Sequence, residues 1–263
     1  VILSYRSKVE TIDYPFEYKV TRSGDHYIID AQIDMSVLSL EELFWDVFAV
    51  TEKNGEEVRV SAYWSRWQRL KLLLMNYQCD VDKEHIIFPY STITCKMAFT
   101  YRTRSKYDGF DVKIKELVAF GVYTLLLPYW KKKRVWLVFE KFCSMAQDNG
   151  YYFFKYCMEQ LPKEKKQHIY YILDTDSADY DKMKQYGKHV IPFMSFRHIL
   201  YSLVANLYIA SDSKKHLYTW RAKPNVISNR ISKHNILFLQ HGVTALKRVH
   251  PIFGMKGSSP MTH

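Results

Sequence analysis

The chain has 263 residues, 48% of them hydrophobic and 16% aromatic, which supplies a sizeable core and excludes a disordered segment. Its formal net charge of +11 is unevenly placed: residues 1–110 carry 14 basic and 16 acidic side chains, and the remainder carries 24 and 11. Such a split points to two domains, the second one suited to an anionic partner such as a nucleotide, a phosphate polymer or an acidic membrane face.

Residues 1–110 read as a β-rich domain. "HYIIDAQIDM" and "ELFWDVFAV" are strand-like runs, Asn54-Gly55 makes a hairpin turn before "EEVRVSAYW", and "IIFPYSTITCKMAFTYRT" adds further strands. Short strands punctuated by turns predict a small antiparallel β-sandwich. The stretch "WSRWQRLKLLLMNYQ" has a helical look but stays unassigned.

Residues 111–134 form a connecting segment. A helix is expected over 112–129, and the uncharged run "LVAFGVYTLLLPYW" falls short of the ~20 residues that span a bilayer. It reads either as a buried core helix or as an in-plane membrane contact. The second reading is strengthened by Lys131, Lys132, Lys133 and Arg134 directly after it, since basic side chains beside an apolar helix suit anionic headgroups.

From residue 135 to 263 the pattern alternates. "VWLVFE", "IYYILD", "HVIPF", "YIASD" and "ILFLQHG" read as strands, with "NGYYFFKYCMEQL", "ADYDKMKQYG" and "SFRHILYSLVANL" as helices between them. Alternation of this kind predicts βαβ units and a parallel, Rossmann-like α/β sheet. Ligands of such sheets sit beyond the carboxyl ends of the strands, so polar residues at strand tips are the candidates.

Three tips qualify. After the first strand come Gln147, Asp148, Asn149 and Gly150 at a helix start, where Asp148 or Asn149 can cap the helix and its free N–H groups can hold a phosphate. The spacing matches neither G-x-G-x-x-G nor a P-loop. "YIASD" ends in Ser211 and Asp212; Asp212 either caps the next turn or orients an imidazole. The last strand runs into Gln240-His241-Gly242. There His241 is either structural or a general base, with Gly242 allowing close approach of a substrate.

Other chemistry finds little support. Cys79, Cys95, Cys143 and Cys157 form no C-x-x-C pair and no disulfide framework, which favours a reducing compartment. The ten histidines show no H-x-H or H-E-x-x-H, so neither metal nor cofactor is expected. No signal peptide is visible, and a chain beginning at Val1 reads as part of a longer gene product.

The segments "WLVFEKFCSMAQDNGYYFFKYCMEQLP", "YYILD", "VIPFMSFRHILYSLVANLYIASD" and "NILFLQHGVT" together resemble the CDP-glycerol glycerophosphotransferase family of teichoic-acid synthesis. The resemblance covers 135–244; that of residues 1–110 to an accessory domain of some members is weaker. It implies a two-lobed GT-B fold whose Rossmann-like first lobe is 135–263, with the second lobe absent and the chain an inactive fragment. It further implies transfer of an alditol phosphate from CDP-glycerol or CDP-ribitol to a lipid-linked polyol-phosphate acceptor. That transfer would take place at the cytoplasmic face of the membrane, peripherally. His241 would activate the acceptor hydroxyl, with Asp212 beside it and Gln147, Asp148, Asn149, Gly150, Ser211, Gln240 and Gly242 contacting substrate.

Two other readings stand beside this one: a non-catalytic module that binds membrane or anionic polymer, and a GT-B glycosyltransferase using a nucleotide sugar. Nucleic acid is not an expected partner, because no recognised nucleic-acid motif accompanies the pI of about 9.3.

Overall fold

A computed structural model of the chain describes residues 1–219 and 222–239. It divides into two units, Val1–Asp108 and Gly109–His263.

The first unit is built from β1 (Ile2–Tyr5), β2 (Asp13–Pro15), β3 (Tyr18–Ser23), β4 (His26–Ala31), β5 (Leu43–Lys53), β6 (Glu56–Ser61), α1 (Arg66–Leu74), β7 (Cys79–Asp80), β8 (His85–Ser91) and β9 (Met97–Thr103). Instead of two facing sheets, one antiparallel sheet runs β2-β1-β5-β9-β8-β7 with β6 also on β5, and β3–β4 stands apart as a hairpin. The reason is β5 itself. Its 11 residues are long enough to take β9 and then β6 along one edge, so the strands join into a single sheet. Asn54 and Gly55 turn the β5–β6 hairpin with φ of 57° and 84°, the left-handed pair that such a turn requires. Leu3, Trp45, Val47, Ile87 and Tyr101 form the core. The unassigned stretch is a helix, α1, because Ser65 and Gln68 close a reciprocal capping box at its start. Near the unit's end Arg102 and Asp108 form a buried bidentate pair, 2.8 and 2.7 Å.

The second unit opens with α2 (Phe110–Leu125) and α3 (Leu127–Trp130), broken at Leu126 because Pro128 cannot continue the first helix. Next come β10 (Trp136–Phe139), α4 (Asn149–Gln160), α5 (Lys163–Lys166), β11 (Ile169–Leu173), α6 (Tyr180–Met183), β12 (Val190–Pro192), α7 (Phe196–Val204), β13 (Leu207–Ala210), α8 (Val226–Ile231) and β14 (Ile236–Phe238). The five strands are all parallel, in the order β12-β11-β10-β13-β14. Each is a short apolar run; Leu137, Val138, Tyr171, Ile172, Tyr208 and Ile209 are fully buried. The strand order therefore proceeds outward from β10 on one side, then reverses to its other side at β13.

The apolar run of α2 does not line a core. Its buried residues are Val112, Lys113, Glu116 and Ala119, while Phe110, Ile114, Leu117, Val118 and Leu125 are exposed, Leu125 to 82%. The inward charges are satisfied. Lys113 Nζ lies 3.5 Å from Glu116, and the buried Tyr218 hydroxyl donates to the same carboxylate. Burial pushes the Glu116 carboxyl up and the Lys113 ammonium down from their ordinary ranges, their mutual attraction opposing both shifts. The helix is thus amphipathic with its polar contacts turned inward. Among the described residues no helix is long and apolar enough to cross a membrane.

Candidate functional site at the carboxyl ends of the parallel strands

Reversal of strand order places β10 and β13 at a switch point, the position where open parallel sheets generally bind their ligands. The loops after both strands carry predicted residues. After β10 the chain makes a tight turn in which Phe142 and Cys143 both adopt left-handed conformations, φ 56° and 53°. Two consecutive non-glycine residues in that region are strained, and contacts hold them there. Asp174, just after β11, donates its N–H to the Cys143 carbonyl at 2.7 Å. The Cys143 thiol donates to the His216 carbonyl at 3.4 Å, and the Phe142 ring meets the His216 imidazole edge-on, centroids 4.3 Å apart. Burial pushes the Cys143 thiol well up, so it serves as a buried anchor and not as a thiolate.

Glu140, at the tip of β10 and 1% exposed, organises the loop that leads into α4. Its carboxylate accepts the N–H groups of Gln147 (3.0 Å), Asp148 (2.9 Å) and Tyr151 (2.8 Å). Burial raises its pKa, against the pull of those three donors. Gly150 is what lets the helix sit so near. A Cβ there would lie 3.1 Å from Glu140 Cγ and 3.3 Å from the Phe139 carbonyl. Asp148 caps α4, accepting from the Asn149 N–H at 2.8 Å. The positive end of α4, which the sequence leaves open to a plain cap or a phosphate, is faced by two carboxylates, which take up its free N–H donors at Asn149 and Tyr151.

The structure brings Asp148 and Ser211 together across the switch point, Ser211 Oγ donating to Asp148 Oδ2 at 3.1 Å. Gln147 turns elsewhere, its amide donating to Asp179 Oδ1 at 3.1 Å. Asp179 also accepts the Ala146 N–H at 2.9 Å and pairs with Lys182 at 2.8 Å. Its burial would raise the carboxyl, but these partners outweigh it and hold the pKa low. Asp212 approaches an imidazole, that of His216, with Oδ1 3.5 Å from Nε2. It also caps its own turn through the Ser213 N–H at 2.6 Å. Burial lowers the His216 pKa while Asp212 works to raise it, leaving a neutral imidazole near pH 7. The remaining candidates, Gln240, His241 and Gly242, lie outside the described residues.

Lys131, Lys132, Lys133 and Arg134 precede β10, at the amino ends of the strands and so at the opposite edge of the sheet. Among the described residues no cluster of His, Cys, Asp or Glu could hold a metal ion. Sequence reasoning passed over Asp179, His216 and the Phe142–Cys143 turn. The i,i+4 spacing of Asp212 and His216 was a legible signal for the second of these; the strained turn had none.

Over 135 residues, half of this chain, the sequence is 34% identical to the minor teichoic acid biosynthesis protein GgaB of Bacillus subtilis (strain 168). The chain is similar to a protein of teichoic-acid synthesis. Those residues make up 14% of GgaB, so the chain spans a small part of its relative's length. No family model and no solved structure matches the chain.

Proposed function

We propose that this chain belongs to an enzyme of cell-wall polymer synthesis, and that it supplies the Rossmann-like first lobe of a GT-B transferase behind a β-rich accessory domain. The whole enzyme moves an alditol phosphate from CDP-glycerol or CDP-ribitol to the end of a membrane-linked polyol-phosphate chain. The observation that carries this reading is the 34% identity to GgaB over half the chain, joined to a parallel sheet whose switch point gathers Asp148 and Ser211.

Chemically, phosphoryl transfer asks the protein mainly for positioning and charge stabilisation. His241 takes the proton of the acceptor hydroxyl as that oxygen attacks the donor phosphorus, and CMP leaves. Gln240 and Gly242 flank it. Asp148, Asn149, Gly150 and Ser211 shape the wall of the site, with Gln147 holding the loop through Asp179. Asp212 acts through His216, keeping the β13 loop in place.

The test uses the full-length parent protein, a lipid-linked glycerol-phosphate acceptor and each CDP-alditol, following CMP release. His241→Ala is expected to lower release about a hundredfold, the scale of a lost general base. Release unchanged by the mutation would remove His241 as base, and no release from either donor would sink the transfer itself. A GT-B enzyme using a nucleotide sugar would instead show turnover in a screen of sugar donors.

Contact with an anionic membrane is supported by the outward apolar side chains of α2 and the basic run after α3. Each basic side chain near such a surface contributes about 1 kcal/mol. Replacing Lys131, Lys132, Lys133 and Arg134 by glutamate is expected to abolish sedimentation of the chain with phosphatidylglycerol vesicles at about 0.1 M salt, where screening is moderate. Equal sedimentation of the two forms would refute the contact.

A further inference from the structure

The sheet of the first unit forks where β5 changes partners. Along one edge β5 pairs with β9 as far as Asp46↔Ala98 and with β6 from Phe48↔Ser61 onward. Beyond the fork the diverging strands are tied by the Met97 N–H to the Ala62 carbonyl, 2.8 Å, and by the Tyr63–Lys96 bridge. A cavity of about 230 Å³ opens there.

Its lining has a definite chemistry. Arg6 and Asp46 form a bidentate pair, with Nε donating to Oδ2 at 2.7 Å and Nη2 to Oδ1; the pair uses both carboxylate oxygens and carries no net charge. The turn over residues 92–96 contributes the Thr92 and Thr94 hydroxyls, 3.2 Å apart, and is held by the Lys96 N–H donating to Thr92 Oγ1 at 3.0 Å. Ser61 adds a third hydroxyl, and Phe48 and Met97 an apolar wall. Lys96 lines the cavity, and among the described residues its ammonium pairs with no carboxylate, so the lining residues carry one positive charge beyond the neutral Arg6–Asp46 pair. A neutral sugar would leave that charge unanswered, and a nucleotide carries more negative charge and bulk than it accommodates. The volume lies below the ~300–1,000 Å³ usual for ligand sites, which restricts the guest to one small unit.

We propose that this fork binds a single phosphodiester-linked alditol unit of an anionic polymer. The phosphodiester bears one negative charge and rests on Lys96, while the alditol hydroxyls meet Ser61, Thr92 and Thr94. The choice of alditol phosphate rests on the proposed transferase function; the cavity and its charge do not. A second grip on the polymer, in a unit other than the one carrying the parallel sheet, raises the effective concentration of acceptor at the enzyme.

The 263-residue chain, labelled with ¹⁵N, is titrated with glycerophosphoglycerol, with inorganic phosphate and with glycerol. The diester is expected to give saturable amide shifts in residues 92–96 and at Ser61, and glycerol none. Lys96→Met keeps the aliphatic stem and should weaken binding at least tenfold; Thr94→Val, at an exposed hydroxyl on the turn, should weaken it severalfold. Shifts confined to other residues, no saturation by the diester, or full binding by Lys96→Met would overturn the site. Inorganic phosphate binding as tightly as the diester would overturn the alditol contacts and with them the proposal. Failure here beside normal CMP release in the parent protein sinks the cavity alone. Binding here without CMP release from either donor sinks the transfer reading and leaves the cavity standing.

Discussion

Replacing Glu140 by alanine is expected to destabilise the second unit by about 4 kcal/mol, because three N–H donors lose their acceptor at roughly 1–3 kcal/mol each, partly offset by removing a buried acid. Those donors belong to Gln147, Asp148 and Tyr151, so the loss should concentrate where the β10 loop enters α4. Hydrogen exchange at these three amides should quicken far more than at β11 or β13, which keep their own partners. Glu140→Gln offers one oxygen in place of two and turns an NH₂ toward N–H groups, so it should recover only part of the loss. A urea midpoint within error of the parent, or unchanged exchange at the three amides, would show that the carboxylate does not organise the loop.

The second large effect is a dependence on acid. His198 is wholly buried in the first turn of α7, its Nδ1 accepting the Met194 N–H at 3.0 Å. Burial lowers its pKa to about 3. Below the ordinary value of 6.5 an unfolded chain takes up a proton that the folded chain refuses until about pH 3. Stability therefore falls as pH drops through that window, by up to about 1.4 kcal/mol per pH unit. His234, lowered to about 4 by burial, adds the same sign over a narrower range. Glu116 and Glu140, raised by burial, act oppositely, since their folded forms hold protons more tightly. The His198 contribution is thus read as a difference. His198→Asn keeps an acceptor for Met194 and does not titrate, so its urea-unfolding stability should fall less steeply between about pH 6 and 4, by about 1 kcal/mol per unit. Parallel curves for the two proteins would refute the assignment.

These two residues show what a sequence can and cannot disclose. The alternation of the second unit was readable because its strands are short, unbroken apolar runs such as "WLVF" and "IYYIL", set between helix-length segments. The helix α8 went unnoticed, since "VISNRI" is short and carries three polar residues in six. In the first unit β4, β5, β6, β8 and β9 were visible, but β1, β2, β3 and β7 were not, and neither was the assembly of the sheet. Whether β5 takes one partner or two along an edge depends on pairings such as Asp46↔Ala98, decided by residues far apart in the chain. The facing of α2 is a similar case. A window of hydropathy sees "LVAFGVYTLL", yet the inward side is chosen by Lys113, Glu116 and the hydroxyl of Tyr218, 102 residues from Glu116. At the candidate site, strand tips drew attention to Asp148, Ser211 and Asp212, and the structure brings the first two together. The bond between the first two spans 63 residues of chain and follows from the switch in strand order, which no local pattern encodes; Glu140's hold on the loop is local, reaching 7 to 11 residues along the chain.

That strand order also sets a timetable. β10 is the first strand of its sheet to leave the ribosome and ends in the middle of it, and one edge can be covered early by β11. The other waits for β13, about 70 residues later, which at roughly 5–20 residues per second is about 4–14 s of synthesis. Through that interval an apolar strand whose Leu137, Val138 and Phe139 end fully buried offers an open edge to any neighbour. Nascent chains halted before residue 207 should therefore be the ones that chaperones hold and that aggregate when released.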